Sequence, residues 1–335
     1  MQSVKYRDIL STAQSLRCGV PQGSVLGPLL FVLYTAGLHD VIQSHGINDH
    51  FYADDSQLYA SCKPSGLSTL RTTMIRCIDN VGSWMASNRL KINPVKTEFM
   101  WCTTPQMRHH VTVSAPFNLG GVDIEPVMSV KLLGATIDCN LTMSTHINRT
   151  ISTCFFHLRR LKSVRRSLPM EAAKTVINAF IISRVDYCNG LLVGITRRQC
   201  ERLQQLLNAS ARLLYGGKKG DHITPLLRSL HWLRFDERVI YKLSVLVYKT
   251  LHYKSPKYFA EHFILMSSNI HTSRLRSADN QTLVVPRTNL VFGNRGFSVA
   301  APAAWNTLPN SIKCAPSLDI FKERLKTYLF SKSFQ

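Results

Sequence analysis

Two neighbouring carboxylates stand among β-forming residues in Phe51-Tyr52-Ala53-Asp54-Asp55-Ser56-Gln57-Leu58-Tyr59. On a regular strand, adjacent side chains leave opposite faces. At a tight hairpin turn that alternation breaks, and both acids can lean toward one point. Carboxylates held close together repel unless a cation neutralises them. Oxygen ligands of this kind suit Mg²⁺, which takes one or two carboxylates and leaves its other positions to water and substrate phosphates. Asp-Asp pairs also occur in plain surface turns. The aromatic and apolar flanks are what such a turn does not need.

A second stretch is Gly19-Val20-Pro21-Gln22-Gly23-Ser24-Val25-Leu26-Gly27-Pro28-Leu29-Leu30-Phe31. Its glycines allow backbone to approach a ligand, and a helix begins directly after it. Alone, a Gly- and Pro-containing loop before a helix is an ordinary connector.

The elements that must hold these residues are legible in the pattern. Residues 4–16 read as strand-like at both ends. Ser24 or Gly27 can cap a helix over residues 28–44, with Pro28 in its first turn. Leu26, Leu29, Leu30, Leu33 and Val41 would form its apolar face, and Gly46 would end it. Residues 50–60 read as two strands joined at a tight Asp-Asp turn. Leu70, Met74, Ile78, Val81 and Met85 recur at helical spacing over residues 67–90. Short strands are predicted at 91–92, 97–101, 111–113, 122–124 and 131–137. From about residue 143 the character is helical, clearest over 198–215, where Leu203, Leu206, Leu207, Ala211 and Leu214 form one stripe before Gly216 and Gly217. Further helices are predicted at 234–252 and 318–330, with short strands and Pro-rich loops over 267–317.

Composition narrows the classes. The 335 residues are 45% hydrophobic and 18% charged, which is globular rather than disordered. The formal charge of +21 favours a polyanionic partner. The excess is uneven: residues 1–60 hold 3 Lys/Arg against 5 Asp/Glu, and residues 151–257 hold 20 against 6. An acidic site joined to a phosphate-gripping surface has this distribution. The longest apolar run, residues 25–38, is short and interrupted, so no membrane span is predicted. Nine cysteines without a C-x-x-C pair read as free thiols of a reducing compartment, and an intracellular protein is expected.

The two motifs, in this order and some twenty residues apart, resemble motifs B and C of reverse transcriptases, most like those of jockey-like LINE (non-LTR) retrotransposons. The likeness continues. Trp84, Asn88, Leu90, Lys91, Asn93 and Lys96-Thr97-Glu98 resemble motif D. Leu132-Leu133-Gly134, Ile137-Asp138, Leu141 and His146 resemble motif E and the start of a thumb. Asp186-Tyr187-Cys188, Leu230-His231-Trp232-Leu233 and the Ala301-Pro302-Ala303-Ala304-Trp305 run resemble segments that follow the polymerase core.

The resemblance implies an α+β fold: a partial right-hand palm over 1–140, a helical thumb over 141–220, and a mostly helical tail over 221–335. It implies RNA-directed DNA polymerase chemistry with Mg²⁺ (or Mn²⁺), an RNA template, a DNA primer, their hybrid and dNTP, in nuclear and cytoplasmic ribonucleoprotein. Asp54 would be the principal metal ligand, with Asp55 supporting it. Tyr52 and Ala53 would lie by the primer terminus, and Gln22 and Gly23 by the nascent base pair and template. Lys96 would protonate departing pyrophosphate, as a leaving group that gains negative charge requires. Leu133 and Gly134 would form the primer grip. Arg159, Arg160, Lys162, Arg165 and Arg166 would hold the hybrid by its phosphates. Trp232 and Trp305 are expected in the core.

Two-metal transfer needs ions about 3.5–4 Å apart, and the family completes that cage with an aspartate from motif A. The only acid upstream of the Gly19 loop is Asp8, whose context lacks the aliphatic strand of motif A. The Tyr34-Thr35-Ala36-Gly37-Leu38 run also departs from the family's usual Tyr-Ile-Asn-Asp-Leu-like pattern. The chain is therefore expected to be a truncated or degenerate copy, inactive alone. The alternative is a retrotransposon-derived protein that binds RNA or DNA without catalysis.

Overall fold

A computed structural model describes residues 3–15, 23–108, 116–218, 220–268, 281–290 and 292–334. The chain divides into two compact units, Met1–Met128 and Ser129–Gln335. Both mix helices with small antiparallel sheets, so the fold is α+β.

The first unit begins with an exposed hairpin, β1 (Lys5–Tyr6) and β2 (Ile9–Leu10). The helix predicted over 28–44 is two helices, α1 (Gly27–Tyr34) and α2 (Gly37–Gln43). Ser24 Oγ accepts from the Gly27 amide at 3.0 Å, but the N-cap position is Leu26, which offers no side-chain cap, so neither Ser24 nor Gly27 caps α1 as expected. The break follows from local bonds and packing. Thr35 Oγ1 turns back onto the Phe31 carbonyl at 2.9 Å, and the Ala36, Leu38 and His39 amides each bond three residues back. Gly37 lies against the Trp84 ring, where a Cβ would come within 3.5 Å. The predicted apolar face is also corrected. Leu26, Leu29, Leu30 and Leu33 are exposed, and Leu38 and Ile42 of α2 are buried instead.

Next come β3 (Asn48–Tyr52) and β4 (Asp55–Tyr59), which pair antiparallel with Tyr52 opposite Asp55. The long helix α3 (Leu67–Ser87) covers α2 and the hairpin. Cys77 and Val81 of α3 meet Leu38, Ile42 and Ile47 in a small core. The short α4 (Pro105–Arg108) precedes β5 (Phe117–Leu119) and β6 (Val122–Ile124), whose apolar side packs against α3. The strand predicted at 122–124 is present. Those at 91–92 and 97–101 are not, apart from a single bridge between Phe99 and Pro126. The strand predicted at 111–113 lies outside the described residues.

The second unit starts with β7 (Ser129–Leu132) and β8 (Ala135–Asp138), a hairpin packed on α5 (Ser144–Val164). Then follow α6 (Met170–Ile177), a π-helical turn over Asn178–Ile182, α7 (Ser183–Asp186), α8 (Arg197–Tyr215), α9 (Ile223–Ser229) and α10 (Phe235–Leu251). Thr196 and Gln199 form a reciprocal capping box at the start of α8, and Gly216 ends it in the left-handed conformation. All five residues of its predicted stripe are buried.

The region predicted as strands and Pro-rich loops instead contains α11 (Phe297–Asn306) and α12 (Asn310–Lys313), before α13 (Leu318–Phe334). Pro302 sits inside α11. Six of its ten residues are buried, Pro302 among them, so packing outweighs the missing amide. Trp305 is a core residue as predicted, and its indole N–H donates to the Gln281 carbonyl at 2.8 Å. One apolar core runs from Met143 to Leu329.

Candidate functional site

The β3–β4 hairpin turns through two residues, Ala53 and Asp54. Ala53 has φ of 53°. A two-residue hairpin loop of type II′ needs such a φ at its first central position and prefers glycine there. An L-residue in the left-handed region costs about 1–2 kcal/mol, so the sequence holds strain at this turn. Such strain gathers at functional sites.

Asp55 is the first residue of β4 rather than a turn residue, which refines the predicted Asp-Asp turn. Directly opposed residues share a face, so Asp55 shares one with exposed Tyr52, and Asp54 stands beside it at the tip. Both acids are exposed, and neither makes a hydrogen bond or ion pair with any described residue. Among the described residues, no cation pairs with either side chain. The donor set fits a hard divalent cation that draws its remaining ligands from substrate and water. Among the described residues, no group of three or more His, Cys, Asp or Glu could hold a metal ion, so two carboxylates are what this hairpin supplies.

A third acid, not singled out from sequence, explains how the hairpin is fixed. The Asp49 side chain is 5% exposed and points into the small core. His39 Nδ1 lies 3.0 Å from both of its carboxylate oxygens, and Gln43 Nε2 donates to it at 2.8 Å. The Asp49 hydrogen bond and charge raise the His39 pKa above its ordinary value. His39 and Gln43, four apart on α2, meet an acid on the next strand. That spacing was the available signal. Asp49 is thus committed to α2 on the inner face of the hairpin, and Asp55 lies on the outer face.

The motif D residues brace the same unit. The Tyr34 hydroxyl donates to the Asn88 carbonyl at 2.6 Å, joining the end of α1 to the end of α3. Lys96 is exposed in the turn that follows, and no hydrogen bond or ion pair ties its side chain to a described residue. Gly23, with φ of 85°, sits at the edge of the described loop before α1. Gln22 lies outside the described residues.

In the second unit, Leu133 (φ 44°) and Gly134 (φ 86°) form the two-residue turn of β7–β8, both left-handed as a type I′ turn requires. The Tyr187 hydroxyl donates to the Leu133 carbonyl. A Cβ at 134 would lie 3.1 Å from the Tyr187 ring. Neighbouring Asp186 pairs with Arg238 at 2.8 Å. The Asp186-Tyr187 motif therefore clamps this turn onto α10.

Arg159, Arg160, Lys162 and Arg166 are exposed at the end of α5 and just after it. Arg165 is different. Its guanidinium donates to the Leu168 carbonyl at 2.9 Å and the Leu214 carbonyl at 2.5 Å, tying this corner to the end of α8. No helix among the described residues is long and apolar enough to cross a membrane.

The sequence that builds these arrangements has relatives among known proteins. Residues 5–137 match the family described as reverse transcriptase (RNA-dependent DNA polymerase). That span includes both the Gly-rich loop and the acidic hairpin, and over it the chain is similar to the reverse transcriptase family. The relatives it resembles come from transposons and mobile elements. The chain is 31% identical over 249 residues to the probable RNA-directed DNA polymerase from transposon BS of Drosophila melanogaster, covering 70% of this chain and 26% of that protein. It is 26% identical over 246 residues to the corresponding X-element protein, again 70% of this chain and 26% of the relative. Over 142 residues it is 28% identical to the RNA-directed DNA polymerase from mobile element jockey, 41% of this chain and 15% of that protein, both relatives also from Drosophila melanogaster. The chain thus spans about a quarter of the length of the first two relatives. No solved structure matches it.

Proposed function

We propose that the chain is a working part of an RNA-directed DNA polymerase, which joins a nucleotide to a primer 3′-OH on an RNA template. The observation that carries this reading is the pair of exposed carboxylates at the Ala53–Asp54 turn, unpaired with any cation among the described residues and inside the segment that matches the family.

Asp54 is the principal ligand for a divalent cation, Mg²⁺ or Mn²⁺, and Asp55 supports it. The bound ion would supply positive charge to the attacking and leaving oxygens of the displacement. The protein's own groups do the rest. Ala53 presents only a methyl group at the tip, which leaves room for a primer end beside Tyr52. Lys96 meets the negative charge of departing pyrophosphate. Gln22 and Gly23 line the nascent pair, and Leu133 and Gly134 grip the primer strand. Arg159, Arg160, Lys162 and Arg166 hold the hybrid by its phosphates, since an A-form duplex is recognised by shape and backbone. Arg165 holds the corner that carries them. In this reading residues 1–140 are the palm portion, 141–220 the thumb and 221–335 the tail.

Two carboxylates under-fill a two-ion site, so the 335 residues by themselves are proposed to be inactive. The test is primer extension by the chain joined behind the preceding segment of the transposon BS relative. The expected result is extension that Asp54→Asn lowers by more than about 100-fold, beyond the loss seen when only a ligand's support is removed. Extension by the unjoined chain, or extension that survives Asp54→Asn, contradicts the reading.

A further inference from the structure

The buried residues of the α6–α7 run are Ala173, Ile177, Ile181 and Val185, spaced by four throughout. An α-helix of 3.6 residues per turn would rotate such a stripe by about 40° at each step. The π turn over Asn178–Ile182 underwinds the helix and keeps the stripe facing the core. It leaves Phe180 43% exposed on the other side. Single π turns inside helices recur at functional sites.

Beside this turn, a groove of about 460 Å³ opens between α5 and α6. Its floor is Leu158, Leu161, Ile177 and Ile181, and its rim carries His157, Arg160 and Phe180. No acidic residue lines it. The rings continue past the rim: His157 lies 4.9 Å from Phe180 and 5.5 Å from Phe156, between centroids. Phe156 is 48% exposed, and the Arg160 guanidinium stands 5.7 Å from its centroid. Partial burial, with the Arg184 and Arg160 charges, lowers the His157 pKa. That shift favours the uncharged ring, which offers a stacking surface.

We infer that this groove is a docking site for unpaired RNA, whose bases stack on Phe156 and Phe180 and whose phosphates meet Arg160 and Arg184. The inference rests on the reading above that the chain handles an RNA template. Exposed rings interleaved with arginines form the platform that single strands use, because every base offers a π-face. A purely apolar peptide would gain nothing from the two arginines. Duplex contacts use phosphates and groove shape, so the aromatic pair adds a mode of binding that the hybrid does not need.

The experiment measures binding of labelled oligouridine and of a labelled RNA–DNA hybrid to the full chain by fluorescence anisotropy. Phe156→Ala and Phe180→Ala are each expected to weaken oligouridine binding by about 5- to 150-fold, the range spanned by base–aromatic stacking. Hybrid binding should change by less than about twofold, since its contacts are to phosphates. Phe180→Trp should restore oligouridine binding, and circular dichroism should show unchanged helix content in every variant. Equal losses on both ligands, or no loss on oligouridine, overturn the inference. Selective loss on oligouridine upholds it even where the polymerase test fails, so the two readings are separable.

Discussion

Leu206 of α8 and Leu29 of α1 are both helical leucines, yet Leu206 is 0% exposed and Leu29 is 57% exposed. The difference holds across their units. Residues 129–335 bury a large core that runs from Met143 to Leu329, with a small one at Ala211, Leu227 and Phe334. Residues 1–128 form two small cores, and α1 buries none of its residues among those described. The acidic turn thus belongs to the thinly cored unit, held by α2 and α3 and by the Asp49 anchor. The basic helices belong to the densely packed one. The proposed function matches this division, since a site that admits substrate requires a few fixed anchors and open access, whereas a surface proposed to hold phosphates requires a rigid scaffold beneath it.

Substitutions can break or sharpen this contrast. The largest effect is expected from Leu206→Ala, which empties a fully buried site and should cost about 2–5 kcal/mol in urea unfolding followed by circular dichroism. Leu29→Ala in α1 should stay within about 0.5 kcal/mol by the same measurement. Comparable costs would erase the distinction between the units.

The two left-handed turns sharpen it further. Gly134→Ala puts a Cβ against Tyr187 at φ of 86° and should destabilise the β7–β8 turn by about 1–2 kcal/mol, read from local hydrogen exchange. Ala53→Gly removes left-handed strain but loosens the unfolded chain, so it should be neutral or stabilising by at most about 1 kcal/mol. A large loss at position 53 would mean that the methyl group packs against something essential.

The smallest effect is the anchor's pH dependence. Asp49 raises the His39 pKa, so the contact stabilises the folded state fully below pH 6.5 and fades as pH rises through the raised value. An NMR titration should show His39 ionising above 6.5, and Asp49→Asn should bring it back toward the ordinary range.

How far the sequence could be read depended on which interaction decided each element. The α8 stripe was legible because burial alone sets a helical period, and all five predicted residues are buried. The strands around Asp54 were legible for the same reason, with β-formers flanking a short polar turn. The break at Thr35 and Ala36 was not, because it depends on Gly37 meeting Trp84, a contact some fifty positions away. The α11 helix was hidden by Pro302, whose penalty is outweighed only by surroundings the local sequence does not reveal. Arg165 looks like its exposed neighbours in the sequence, and its bonds to the Leu168 and Leu214 carbonyls distinguish it. Asp49 was overlooked beside a more conspicuous pair of acids.

The most direct measurement is metal-directed backbone cleavage, with Fe²⁺ in place of Mg²⁺ and fragments sized by mass spectrometry. The expected result is cleavage concentrated between Tyr52 and Ser56, suppressed by excess Mg²⁺ and absent in Asp54→Asn. Cleavage elsewhere, or a pattern that Asp54→Asn leaves unchanged, would contradict the assignment of this turn as the cation-binding point.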